Sequence, residues 1–71
     1  MNTAELIAFY RKEKHLNQVQ LSSKLPSTSL GQLMEIEANR RIPTQRQLAE
    51  ICAALEITLY YFDEECVAWA Y

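Results

Sequence analysis

Apolar and polar positions alternate along this chain at helical spacing in a series of short blocks. The first block predicts a helix over 3–14, with Thr3 as its cap and Leu6, Ile7 and Tyr10 recurring on one face. His15 then stands where the chain turns, and His accepts a left-handed backbone better than most residues. A second helix is predicted over 18–25, capped by Asn17, with Val19 or Leu21 and Leu25 facing inward and Pro26-Ser27-Thr28 breaking it. A third is predicted over 30–38, capped by Ser29, with Leu33 and Ile36 inward and Asn39 as a left-handed stop. The longest stripe, Leu48, Ile51, Cys52 and Leu55, marks a fourth helix over 45–55, which follows Pro43 and a Thr44 cap. A fifth helix of one or two turns is expected over 58–63, offering Leu59 and Phe62. In the tail, Val67, Trp69 and Tyr71 alternate with small residues, which suits a strand as well as a short helical extension.

The expected architecture is therefore all-α, a compact five-helix domain over 1–63 with a tail over 64–71 as a dimerisation element. A chain of 71 residues, 49% of them hydrophobic, suits one domain with a modest core. No apolar run approaches the ~18 residues of a membrane span, and Met1-Asn2-Thr3-Ala4-Glu5 lacks the layout of a signal peptide. A cytoplasmic protein with no membrane association is expected. Cys52 and Cys66 lack metal-ligand spacing, and Cys52 reads as a small core residue. Neither a metal site nor a cofactor is expected. With no Cys-His or Ser-His-Asp set and no phosphate-binding glycine loop, an enzyme is not expected either.

Net charge is −2, but its distribution is uneven. All seven basic residues lie between Arg11 and Arg46, and only four acids oppose them in the first 46 residues. Glu50, Glu56, Asp63, Glu64 and Glu65 follow with no base among them. The first 46 residues thus carry +3 and the remainder −5, a division that suits a small DNA binder whose far side repels DNA.

Two short capped helices joined by a tight turn and followed by Arg40-Arg41 form the layout of a helix-turn-helix DNA reader. In detail the chain resembles the Cro/repressor (Xre-like) helix-turn-helix family over about residues 3–62. The residues that carry the resemblance are Arg11, Leu16-Asn17-Gln18, Ser29, Leu33, Ile36-Glu37, Asn39, Arg40-Arg41, Pro43 and Ala54-Leu55-Glu56-Ile57. The resemblance implies a lambda-repressor-like fold and double-stranded DNA as partner, with the exposed face of helix 3 in the major groove. It implies an internal ion pair between Arg11 and Glu37, and a phosphate contact at Gln18. Where the family places glycine at helix ends, this chain has His15, Asn39 and Glu56, and its turn between helices 2 and 3 is one residue longer.

Helix 3 is poor in the side chains that usually read bases. Its outward positions are Leu30, Gly31, Gln32, Met34 and Glu35, and only Gln32 belongs to the Arg, Lys, Asn and Gln set. Two readings follow. In one, Gln32 and Leu30 read bases, Glu35 accepts from cytosine, and Asn17, Gln18, Lys24, Thr28, Ser29, Arg40 and Arg41 hold phosphates. In the other, Leu30, Met34 and the small Gly31 form an apolar contact for a protein partner, as in an antitoxin, anti-repressor or adaptor. Met34 also suits a gap-filling core residue. Tyr60, Tyr61, Trp69 and Tyr71 concentrate aromatic surface near the end of the chain, and a homodimer built there is expected.

Overall fold

The computed structural model describes residues 2–62 and 65–70, with side chains over 2–58. Four helices, α1 (Thr3–Glu13), α2 (Gln18–Ser22), α3 (Leu30–Glu37) and α4 (Gln45–Leu55), are followed by the strands β1 (Ile57–Phe62) and β2 (Glu65–Ala70). Ile7, Leu21, Leu25, Leu33, Ile36, Ile51, Leu55 and Ile57 form the core, so every helix and the first strand residue contribute to it. Tyr10, Leu16, Leu48 and Cys52 pack around it, partly buried. The periodic stripes of all four helices thus face one another. On α2 it is Leu21 that turns inward, while Val19 is exposed.

The expected fifth helix is a strand. β1 pairs antiparallel with β2 from Ile57↔Ala70 to Phe62↔Glu65. The run Ile57-Thr58-Leu59-Tyr60-Tyr61-Phe62 is wholly β-branched, aromatic or leucine, residues that fit a pleated surface. Pairing with the alternating tail satisfies its backbone in a way that one or two isolated helical turns would not. The domain is thus helical with a C-terminal hairpin, rather than all-α with a separate tail. Asp63, Glu64 and Tyr71 lie outside the described residues.

Other differences concern helix ends. Asn2, not Thr3, caps α1, its Oδ1 accepting from the Glu5 N–H at 2.9 Å. α2 ends at Ser22 rather than at residue 25. The hydroxyls of Ser22 and Ser23 donate to the Val19 and Gln20 carbonyls, and the residue before Pro26 disfavours helical backbone. The backbone continues through shorter bonds, Lys24 N–H to Leu21 O and Leu25 N–H to Ser22 O.

His15, Asn39 and Glu56 all adopt the left-handed conformation, with φ of 57°, 61° and 57°. After α1, the His15 N–H donates to Lys12 O and the Leu16 N–H to Arg11 O. After α3, the Asn39 N–H donates to Ile36 O and the Arg40 N–H to Glu35 O. Both sets are Schellman stops, built here without glycine. Glu56 sits opposite Lys14, whose Nζ donates to its Oε2 at 2.9 Å. That hydrogen bond, with the attraction of the ammonium, holds the Glu56 carboxyl below its ordinary value. Its contribution to stability is present above the ordinary carboxylate pKa and disappears as pH falls through the lowered one. Exposure of both groups keeps it small.

Candidate nucleic-acid interface

Three of the four helices begin with the same device. Asn17 with Gln20, Ser29 with Gln32 and Thr44 with Gln47 form reciprocal capping boxes. In each, the cap side chain accepts from the backbone three residues on, and the glutamine accepts from the cap N–H. Each box closes with a neutral amide rather than glutamate, and α2, α3 and α4 have no acid in their first turns. No acid within their own first turns therefore offsets the positive ends of these helix dipoles.

The turn leading into α3 is pinned to α4. Glu50 accepts from both the N–H and the Oγ of Ser27, each at 3.0 Å. Gln47 donates to the Ser27 carbonyl at 3.2 Å. Residues 47 and 50 lie one turn apart on α4, so one helix face fixes every polar group of Ser27 and accommodates the longer turn at Pro26. Glu50 is thus an anchor of this turn and not a far-side acid. Gln47, almost fully buried, and Glu50 were not singled out from the sequence. The Thr44-x-x-Gln47 spacing was the available signal for Gln47; nothing local marked Glu50.

Arg11 and Glu37 meet in the interior. Nε of Arg11 donates to both carboxylate oxygens of Glu37 at 2.9 and 3.2 Å, Nη2 donates to Oε1 at 3.0 Å, and Nη1 donates to Leu16 O at 2.9 Å. The two side chains are 12% and 6% exposed. Gln18 joins them, its Nε2 donating to Glu37 Oε1 at 3.3 Å. Its amide thus spends one donor inside the protein and keeps one N–H and its oxygen for an outside contact.

The remaining sequence-selected residues fall into three sets. Asn17 and Ser29 are exposed, with their side-chain oxygens engaged in the caps. Lys24 and Arg40 are exposed and without an ion pair among the described residues, whereas Arg41 lies 3.7 Å from Glu35. That pairing sets Glu35 against its own arginine rather than toward a base. Thr28 is a correction: it is 4% exposed, with its hydroxyl buried and no hydrogen-bond partner, so the side chain does not reach a phosphate. Met34, at 47% exposure, takes the outward place of the two readings and does not fill the core. Leu30, one helical turn away, is also exposed. Tyr71 lies outside the described residues, and of Tyr60, Tyr61 and Trp69 only the backbone is described, within β1 and β2.

Gly31 has no reason to be glycine within the chain. It has ordinary helical backbone, and a Cβ there would meet nothing within 4 Å. Gly31→Ala should therefore stabilise the free domain by about 0.5–1 kcal/mol. If the added methyl also weakens DNA binding by tenfold or more in a titration, a DNA surface approaches the helix at that point. Unchanged binding would remove Gly31 from the interface.

A helix-turn-helix family model matches residues 7–62, which takes in all of this geometry. No curated protein and no solved structure matches the chain. Among the described residues no helix is long and apolar enough to cross a membrane.

Proposed function

The chain belongs to the Cro/C1-type helix-turn-helix family of DNA-binding transcription regulators, and from that premise we propose that it is a repressor that binds a pseudo-palindromic operator as a homodimer. The observation that carries this reading is the surface around α3. Gln32, Leu30 and Gly31 open the helix, acid-free first turns lie at the starts of α2 and α3, and Lys24, Arg40 and Arg41 supply positive charge nearby. Gln32 and Leu30 contact base edges. Gln18, Asn17 and Ser29 with their backbone amides, Lys24, Arg40 and Arg41 hold phosphates. The dimer forms through the hairpin region carrying Tyr60, Tyr61, Trp69 and Tyr71. A two-stranded sheet has two outer edges, which supports an assembly there. Two-fold pairing sets the reading helices about 34 Å apart. The regulator acts in the cytoplasm by occupying its operator and excluding polymerase.

A second reading draws on Leu30 and Met34, which are both exposed one turn apart on α3 and form an apolar strip. It makes α3 the docking face for a protein partner, with the chain acting as an antitoxin, anti-repressor or adaptor. Selection from a random duplex pool, at low and then physiological salt, separates the two. A palindromic motif that survives added salt is the result expected of an operator-binding dimer. Weak binding without a motif, vanishing as salt rises, would transfer the function to the apolar strip.

A further inference from the structure

Gln32 and Gln47 each have an amide whose orientation is set by a group that can only donate. The Ser29 N–H points at Gln32 Oε1 (3.2 Å), and the Thr44 N–H points at Gln47 Oε1 (3.0 Å). A backbone N–H cannot accept, so each amide oxygen faces its own cap and each NH2 faces away. Gln47, 6% exposed, then donates from Nε2 to Ser27 O at 3.2 Å and, in a longer contact, to Gln32 Oε1 at 3.5 Å. Two donors from within the protein, the Ser29 N–H at 3.2 Å and the Gln47 amide at 3.5 Å, thus face Gln32 Oε1. Its Nε2 has no partner among the described residues, and its side chain is half-buried at the start of α3.

We propose that Gln47 is a positioning residue that makes Gln32 a donor-only reader, selecting an acceptor edge in the major groove, guanine above all. The proposal rests on the DNA-reading function stated above. A glutamine free to use both ends of its amide pairs with adenine, giving a hydrogen bond to N7 and accepting one from N6. With Oε1 turned toward its own cap and faced by two donors of the protein, that second bond is denied, and the N6 amino group of adenine faces a donor. Cytosine presents only its N4 donor and is disfavoured for the same reason. Guanine presents two adjacent acceptors, O6 and N7, and thymine presents one. Specificity at this position is thus decided by a residue on α4 that itself contacts no base.

The test is duplex selection with the wild-type chain, Gln32→Ala, Gln32→Glu, Gln47→Leu and Gln47→Glu, each first checked for helicity and a cooperative melt. The position read by Gln32 is the one whose preference Gln32→Ala abolishes, and guanine is expected there for the wild type. Gln32→Glu keeps the capping box, since glutamate serves it equally, but presents an acceptor, and cytosine should replace guanine. Gln47→Leu should admit adenine, with discrimination against it falling by about tenfold. Its affinity for non-specific DNA should stay within about threefold, because the phosphate contacts are untouched. Gln47→Glu retains the Thr44 cap while losing the donor, so it reports the same shift if the leucine variant does not fold. Adenine selected by the wild type, or Gln47 variants whose base preference matches wild type, would overturn the proposal and leave DNA reading standing. A wild-type chain that selects no motif would remove the DNA reading and this proposal with it.

Discussion

Glu37→Ala is expected to cost about 3–5 kcal/mol, the usual penalty for removing one partner of a buried ion pair. Arg11 would then keep a buried guanidinium with only the Leu16 carbonyl for company. A domain of 71 residues has about 4–10 kcal/mol of total stability, so the variant should lose a third or more of it and unfold at a markedly lower denaturant concentration. Urea denaturation followed by circular dichroism measures this directly. The loss reflects a stranded charge rather than the net worth of the pair. Arg11→Met combined with Glu37→Leu should therefore recover most of it, since apolar replacement of both partners is often neutral or better. A single variant with near wild-type stability would mean that the guanidinium finds water or another acceptor, and that the pair is not what joins α1 to α3. Gln18 also loses a partner in Glu37→Ala, so a change in DNA affinity in that background reports folding as well as contact.

Arg40→Ala combined with Arg41→Ala is expected to weaken DNA binding by roughly 30-fold at physiological salt, with the salt slope of the binding constant falling by about two. The selected motif should be unchanged, because phosphate contacts position the protein without reading sequence. Arg40 has no ion pair among the described residues and should account for its full share; Arg41, shared with Glu35, should account for less. Glu35→Gln releases Arg41 and removes a negative charge from the reading helix, and it should strengthen binding. Fluorescence anisotropy across a salt series measures all three variants. A double variant with an unaltered salt slope would place the phosphate-binding surface elsewhere on the molecule.

Much of this fold was legible in local chemistry. Asn17, Ser29 and Thr44 announce helix starts because a short side-chain oxygen satisfies an N–H left open at the first turn. His15 and Asn39 were expected to be left-handed from their places after helical stripes, Glu56 only from the glycine position that the family resemblance gives it, and all three are. The Arg11–Glu37 pair was foreseen from the family resemblance, since no spacing connects residues 26 apart.

What the sequence determined by itself is the set of elements whose backbone is satisfied within a few residues: four helices, the caps of α2, α3 and α4, and the left-handed stops after α1 and α3. Only the tertiary structure decided the rest. Residues 57–62 become a strand because their hydrogen-bond partners lie across a hairpin, and a strand cannot satisfy itself as a helix does. Thr28 is buried although it was expected at a phosphate, and Met34 keeps its outward place rather than the core one, because burial is set by what packs over a residue rather than by its polarity. Gln32 has its acceptor tied by Gln47, and Ser27 has its polar groups held by Gln47 and Glu50, through contacts spanning 15 to 23 residues. Such contacts leave no periodic trace in the chain, and they form only once the apolar faces of the helices have brought α4 against the turn.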